Sequence, residues 1–136
     1  DTEESKGFGL ILAGDIVDKS SNDDIEKTIR FVHKNMAILG DRLQLILGNH
    51  EEMVWKWTTN HKDLVINAER LDQKAKYYNT AILLEEKEDV RELFLEIFAK
   101  MKGWVKTIGT DRKSFIVTHA PCAVKYLEKM DGKSLH

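Results

Sequence analysis

Three short polar segments contain the residue types that could carry out chemistry. They are Gly14–Asp18 (GDIVD), Gly48–Glu51 (GNHE) and Thr118–Ala120 (THA). Together they supply carboxylate and amide oxygens and imidazole nitrogens, a mixed donor set suited to Mn²⁺, iron or Zn²⁺. Histidine is also the side chain best able to exchange protons near neutral pH. These residues could therefore form a metal-dependent site with its own proton donor.

The segment Gly48–Glu51 has two interpretations when it is taken alone. It follows the apolar run Leu43–Leu47, which is short enough to be a strand, and it precedes residues 52–55, which can open a helix. Open α/β sheets bind their ligands just past the carboxyl ends of strands. A polar strand-to-helix turn with Asn49 as the cap would have the same sequence, so both interpretations stay open at this point.

Each of the three segments follows an apolar run that is predicted to be a strand. These runs are Phe8–Ala13, Leu43–Leu47 and Ser114–Thr118. One such segment is weak evidence, but three in this order, each at a strand end, are specific. No cysteine is placed to add a thiolate, which disfavours a structural zinc site.

The elements that must position these segments are predicted from apolar spacing. Apolar residues from Ile25 to Met36 recur at helical intervals, and the helix should end near Leu39-Gly40. The order strand, helix, strand predicts a crossover unit with parallel strands. A second stripe from Val90 to Met101 predicts a helix over 89–102.

The rest of the chain is less regular. Residues 104–108 and 114–118 are predicted to form a hairpin around the turn at 109–112. Residues 58–63 are expected to be a loop, and residues 64–84 show only weak helical periodicity. The stretch 58–103 matches no motif and could form a cap over the site.

Composition narrows the class of protein. The chain has 136 residues, one modest domain or a piece of a larger one, and 42% are hydrophobic. A net charge of −2 gives no basic field for nucleic acid, and a single cysteine permits no internal disulfide. No apolar run approaches the ~18 residues of a membrane span. One cysteine also fits a reducing compartment. We therefore expect a cytoplasmic protein that neither spans a membrane nor carries a strong nucleic-acid signal.

The three segments resemble the motifs of the calcineurin-like metallophosphoesterases, above all the phage-lambda-type and bacterial Ser/Thr protein phosphatases. Gly14–Lys19 is similar to the family's G-D-x-V-D-R motif, Gly48–Glu51 to G-N-H-E, and Val117–Ala120 to a later strand-His-Ala motif. The resemblance spans residues 10–120. It implies an α/β fold, the central part of a metallophosphoesterase-type β-sandwich of mixed sheets flanked by helices.

The resemblance also implies a cofactor, namely two divalent metal ions, Mn²⁺ in the first place and iron or zinc as alternatives. Asp15 would bridge the two ions, and Asn49 and His119 would ligate the second ion only. A carboxylate can span two cations about 3.5–4 Å apart, as two-metal phosphatase sites require.

The remaining roles implied by the resemblance are catalytic. His50 would not bind metal but would protonate the leaving oxygen, oriented and kept cationic by Asp18. Lys19 and Asn49 would contact the substrate phosphate. Glu51 is expected to support the site rather than to ligate an ion.

The sequence departs from the family pattern at four places. Lys19 stands where an arginine usually grips phosphate, and it lacks the bidentate geometry of arginine. Ser20 replaces the usual glycine. No Asp-x-His precedes Asp15, and the closing Gly-His motif is also absent. We therefore expect residues 1–136 to be a single but incomplete metallophosphoesterase domain, inactive by itself, with both motifs in the flanking sequence.

The function that the resemblance implies is hydrolysis of phosphate monoesters through in-line attack by a metal-bridging hydroxide. A Ser/Thr protein phosphatase is expected, so the partner would be a phosphorylated protein or a small phosphoester. Alternatives among enzymes of the same fold are a diadenosine-polyphosphate phosphatase and an RNA-end phosphatase. The alternative from another functional class is a non-catalytic binding module that kept the fold and lost its metals.

Other reactive side chains are assigned to structure. His33 lies beside the apolar face of the first helix, and His61 is expected in an exposed loop. Cys122 has no paired base and is expected to be a small buried residue. Trp55 and Trp57 are expected to pack rather than to line a substrate groove.

Overall fold

A computed structural model describes residues 9–59, 79–108 and 111–120 of the chain. Helices and small sheets alternate along it, which confirms the predicted α/β class. The described elements are β1 (Leu10–Leu12), α1 (Asn22–Leu39), a 3₁₀ turn (Gly40–Arg42), β2 (Leu43–Leu45), α2 (Asn49–Thr58), α3 (Asn79–Glu86), α4 (Glu88–Lys100), β3 (Trp104–Ile108) and β4 (Ser114–Thr118).

Strands β1 and β2 form a parallel pair, which confirms the predicted crossover unit. Leu10 lies opposite Leu43, and Leu12 lies opposite Leu45. The strands are shorter than the apolar runs that predicted them. The run after β2 still contributes, because Ile46 forms a parallel bridge with Lys102 and connects this sheet to the segment that leads into β3.

Helix α1 connects the two parallel strands and ends where the sequence predicted. The Ser21 hydroxyl oxygen accepts a hydrogen bond of 3.2 Å from the amide of Asp24, which caps the first turn. Gly40 ends the helix with φ of 52°, a conformation that glycine adopts without steric cost. The buried side chains of Ile25 and Ile29 face the core.

Helix α2 begins at Asn49, with Gly48 as its N-cap residue. The sequence indicated a helix opening only around residues 52–55, and the alternative interpretation made Asn49 the cap. Because the helix starts earlier, Asn49 and His50 lie in its first turn, directly after the β2 strand end. The peptide N–H groups of a first turn point toward groups beyond the helix end.

The second half of the described chain contains α3, α4 and the hairpin. The helix predicted over 89–102 is α4, one residue earlier at its start and two at its end. Strands β3 and β4 pair antiparallel, with Trp104 opposite Thr118, which confirms the hairpin. Helix α3 begins in the weakly periodic stretch 64–84 and ends two residues beyond it. Residues 60–78, which include most of the predicted loop and weak helix, lie outside the described ranges.

The core lies between α1, α4 and the parallel strands. Phe94 and Ile97 of α4 are fully buried, and Trp55 stacks on Phe98 with ring centroids 5.2 Å apart. The indole N–H of Trp57 donates to a carboxylate oxygen on α3 at 2.6 Å. These contacts support the packing role expected of both tryptophans. None of the helices within the described ranges has the length and apolarity to cross a bilayer.

A cluster of exposed charges links α1 to the start of α4. Arg30 donates to both Glu26 and Asp89, at 2.9 and 2.6 Å, and Lys87 donates to Glu26. The hydrogen bonds from Lys87 and then Arg30 lower the pKa of Glu26, and the hydrogen bond from Arg30 lowers the pKa of Asp89.

Candidate active site

The loop after β1 has an unusual backbone conformation. Gly14, Asp15, Asp18 and Lys19 all have positive φ, at 87°, 53°, 64° and 60°. Residues with a Cβ rarely adopt such values, and each costs free energy that the surrounding contacts must offset. A strained loop of this kind persists only where the surrounding structure fixes its conformation. Its contacts with α2, α3 and His119 provide the compensation.

Glu51 holds this loop against the start of α2. Its carboxylate is fully buried and accepts three backbone hydrogen bonds, from Ile16 at 2.7 Å, Asp15 at 2.9 Å and Gly48 at 3.0 Å. The first of these goes to Oε1 and the other two go to Oε2. Because both oxygens are committed to amides, Glu51 fastens the two loops to each other and is not aimed at an ion.

The two loops approach so closely that glycine is required at Gly48. A Cβ there would lie 2.5 Å from the amide nitrogen of Asp15 and 2.6 Å from its carboxylate oxygen, and it would also overlap Glu51. Gly14 meets the same limit, because a Cβ would lie 2.7 Å from Nδ1 of His119. The glycines of the first two motifs thus permit the contact between all three segments.

The three residues predicted as metal ligands converge at this contact. The Nδ1–H of His119 donates to the carbonyl oxygen of Ala13 at 2.7 Å. With that proton on Nδ1, the lone pair of Nε2 faces Oδ1 of Asn49 at 3.1 Å and Oδ1 of Asp15 at 3.5 Å. A backbone carbonyl that fixes the tautomer in this way is typical of metal-binding histidines.

The two distances from Nε2 of His119 to these oxygens fit a shared divalent ion. Neighbouring ligands about 2.1 Å from an ion are themselves roughly 3.0–3.4 Å apart, close to the spacing of Nε2 and the two oxygens. An imidazole nitrogen with amide and carboxylate oxygens is also a chemically suitable donor set. Within the described ranges no group of three or more His, Cys, Asp or Glu side chains could hold an ion, so this set depends on the Asn49 amide.

The predicted proton donor lies beside this set. Nδ1 of His50 is 2.7 Å from Oδ2 of Asp18, and both residues are buried. The carboxylate can only accept, so it fixes the proton on Nδ1 and the orientation of the ring. The backbone N–H of His50 donates to Oδ1 of Asp15 at 3.3 Å. Asp15 therefore belongs to the three-residue donor set and also accepts a hydrogen bond from the backbone of His50.

Thr80, at the start of α3, is a site residue that the sequence did not reveal. Its hydroxyl oxygen accepts from the amide of Asp18 at 2.9 Å, and its own amide donates to Oδ1 of Asp18 at 3.0 Å. The two residues are 62 positions apart, and Thr80 lies in the weakly periodic stretch. No local pattern in the sequence could have paired them.

The other candidate residues lie apart from this cluster. Lys19 is exposed, next to Asp18 in the chain. His33 pairs with Glu96 of α4 on the helix surface, in line with the structural role expected for it. His61 and Cys122 lie outside the described ranges.

A strand-end cluster of carboxylate, amide and imidazole groups beside a buried His–Asp pair is typical of metal-dependent hydrolases. The family model described as calcineurin-like phosphoesterase matches residues 3–133, and the chain belongs to this family. No curated protein and no solved structure matches the chain significantly. The family is one of phosphoester hydrolases that generally use divalent metals.

Proposed function

We propose that the protein is a binuclear phosphomonoesterase that acts on phosphoserine and phosphothreonine in proteins. Asp15, Asn49 and His119 would hold one divalent ion, with Mn²⁺ as the preferred metal, and Asp15 would bridge to a second. Bound ions would supply a nucleophile at neutral pH and neutralise charge on the phosphoryl oxygens.

The assignment of the metal ligands is supported by the fixed tautomer of His119. A histidine that donates Nδ1–H to a backbone carbonyl can present only Nε2 to an ion. That nitrogen points toward the two oxygens that the resemblance pairs with it. Any large rotation of the ring would break the bond to Ala13, so the ligand is held in place before a metal binds.

His50 would act as the general acid. Its Nδ1 is bound to Asp18, so the proton given to the leaving oxygen must come from Nε2. As the bond from phosphorus to the leaving oxygen breaks, that oxygen takes the proton and departs as the serine or threonine hydroxyl. Asp18 keeps the ring in one orientation and balances its positive charge, which is the arrangement that a positioned proton donor needs.

Lys19 and Asn49 would contact the phosphate of the substrate. Lys19 is exposed and follows Asp18 directly, so its flexible side chain can reach outward as a point charge. Asn49 is exposed in the first turn of α2, where helix N–H groups favour an anion.

The observation that carries this proposal is the contact of one residue with two functional groups. Oδ1 of Asp15 faces Nε2 of His119 and also accepts from the backbone of His50. The carboxylate of Asp15 therefore lies next to another predicted metal ligand and is hydrogen-bonded to the backbone of the predicted proton donor. A phosphomonoesterase needs both functions side by side, because charge develops on the phosphoryl group and on the leaving oxygen in the same step.

The test compares two substrates in the full-length protein loaded with Mn²⁺. A phosphoserine peptide has a poor leaving group that needs protonation, and p-nitrophenyl phosphate has a good one that does not. Wild-type protein should release phosphate from both. His50→Ala should lower kcat on the peptide by about 10²–10⁴-fold, with a much smaller loss on p-nitrophenyl phosphate and with unchanged metal content.

His33→Ala is the matched control, because it removes an imidazole that is also paired with a carboxylate but lies on the helix surface. It should leave both rates unchanged. Loss of the metals in His50→Ala would overturn the acid assignment. Faster turnover of diadenosine polyphosphates, or of RNA phosphate ends with competition by 2′,3′-cyclic nucleotides, would reassign the substrate. If none of these substrates releases phosphate in a metal-dependent reaction, the non-catalytic binding module is favoured.

A further inference from the structure

We propose that Thr80 is a positioning residue that fixes Asp18 in the geometry that orients His50. This inference rests on the proposed role of His50 as the general acid and extends it to a residue on α3. It assigns a function to the weakly periodic stretch, in which the sequence contains no motif.

Thr80 contacts Asp18 at two different groups. The hydroxyl oxygen of Thr80 accepts from the Asp18 amide at 2.9 Å, and the Thr80 amide donates to Oδ1 of Asp18 at 3.0 Å. The other carboxylate oxygen, Oδ2, accepts from His50. Each oxygen of the carboxylate thus has its own donor, and rotating the carboxylate would break both bonds. The direction of Oδ2 is set by Thr80 on one side and used by His50 on the other.

The hydroxyl of Thr80 also stabilises a strained backbone. Asp18 has φ of 64°, where a residue with a Cβ is disfavoured. Its amide is buried and needs a partner, since an unpaired buried donor is costly. Thr80 is fully buried and supplies that partner. Without the hydroxyl, a change of the Asp18 backbone to an unstrained conformation would lower the free energy. The carboxylate of Asp18 would then move with the backbone.

The first turn of α3 is anchored to the same loop at a second point. The side-chain amide of Asn79 donates to the carbonyl oxygen of Ser20 at 2.7 Å and to Oδ1 of Asn22 at 2.9 Å. These contacts lie on the exposed side, whereas Thr80 points into the core. The hydrogen bonds of Asn79 therefore fix the position of the start of α3 relative to the loop. Thr80, the next residue, is held at a fixed distance from Asp18 as a result.

The first experiment tests the geometry and needs no activity. In metal-free full-length protein, the Nδ1–H proton of His50 should give a downfield NMR signal because it is held by Asp18 and shielded from solvent. Thr80→Val keeps the side-chain shape but removes the oxygen, and the signal should broaden or vanish, as it also should in Asp18→Ala. Thr80→Ser should restore the signal, since it keeps the oxygen.

The control is Thr58→Val, which removes a part-buried threonine hydroxyl that bonds to backbone carbonyls within α2. This variant should keep the His50 signal. A Thr80→Val protein that retains the signal would overturn the proposal. Should Thr80→Val not fold, amide exchange in the wild-type protein decides the question. The Asp18 amide should be protected from exchange, and exchange at an unprotected rate would likewise overturn the proposal.

The second experiment separates positioning from general loss of structure. Thr80→Val should lower kcat on a phosphoserine peptide by about 10–100-fold, as loss of an orienting partner does, and should change turnover of p-nitrophenyl phosphate much less. In an Asp18→Asn background the same substitution should add little, because its effect passes through Asp18. Equal losses on both substrates would indicate a structural role and contradict the proposal.

The two experiments also separate this inference from the proposed function. A wild-type protein that hydrolyses no phosphoester, but whose His50 signal depends on Thr80, would overturn the catalytic assignment and support the positioning role. A wild-type enzyme that is fully active on the peptide while Thr80→Val matches it in rate and signal would do the reverse.

Discussion

Replacing Glu51 by glutamine tests whether one buried carboxylate holds the site together. The change keeps the size of the side chain and one of its oxygens. The glutamine oxygen would preferably occupy the place of Oε2, where it still accepts from Asp15 and Gly48. The amino group then faces the amide of Ile16, which is donor against donor.

The magnitude follows from these three contacts. The unpaired Ile16 amide costs about 1–3 kcal/mol. The other two bonds become neutral and lose roughly half their strength, about 1 kcal/mol each. A neutral side chain recovers part of the cost of burying a charge, so the net loss of unfolding free energy should be about 2–4 kcal/mol. The free energy of unfolding of a typical domain is only about 5–15 kcal/mol, so this loss is a large share of it.

The assay is urea unfolding of the full-length protein, followed by circular dichroism. With a slope of about 2 kcal/mol per molar urea, the middle of the usual range for small proteins, the midpoint should fall by roughly 1–2 M. Mn²⁺ affinity should fall as well, because Asp15 loses one of the contacts that holds its backbone. Glu52→Gln is the matched control, since Glu52 is the next residue and pairs only with Lys56 on the exposed side of α2 among the contacts described.

Glu52→Gln should change stability by no more than about 0.5 kcal/mol, as surface substitutions usually do. The reasoning is refuted if Glu51→Gln has the same midpoint as this control. It is also refuted if stability falls while Mn²⁺ affinity is unchanged, because the loop would then keep its ligand without the carboxylate.

Three further changes test other parts of the structure. Gly48→Ala should lower thermal stability and Mn²⁺ affinity together, because its Cβ would lie 2.5 Å from the amide nitrogen of Asp15; equal melting temperatures would contradict the close approach. His119→Ala should weaken Mn²⁺ binding at least about tenfold by calorimetry, and equal affinities would remove His119 from the donor set. Lys87 lowers the pKa of Glu26 from its ordinary 4.5, so the ionised carboxylate stabilises the fold above that pH and the stabilisation is lost as pH falls through the lowered pKa. Glu26→Gln should therefore be less stable than wild type near neutral pH in low salt, the difference vanishing in acid; a constant difference across pH would refute this.

The helices and the hairpin could be predicted from the sequence, because each depends on residues that are close together in the chain. The spacing from Ile25 onward located α1, and Gly40 located its end. The apolar residues at helical spacing in α4 and the alternating apolar residues of the β3–β4 hairpin likewise predicted these elements. Helical periodicity and a left-handed glycine are properties of a few consecutive residues, so no knowledge of the rest of the chain is needed.

Strand ends and the start of α2 were located less well. Apolar runs predicted strands through Ala13 and Leu47, but regular pairing stops at Leu12 and Leu45. The pairing of an edge residue depends on which neighbour reaches it, and apolarity does not report this. Helix α2 begins at Asn49 because the Glu51 carboxylate draws in the Gly48 amide, a contact that orders the first turn.

The sequence by itself determined which residues could form the site, since the glycine, carboxylate, amide and imidazole groups stand in three recognisable segments. Only the tertiary structure decided how they meet. His119 reaches Ala13 across 106 positions, and Thr80 reaches Asp18 across 62. Such pairs have no local signature, because they arise when the packing of sheets and helices brings distant polar groups together. The amide of Asp18 is buried there, so it must find an acceptor in whatever segment lies beside it.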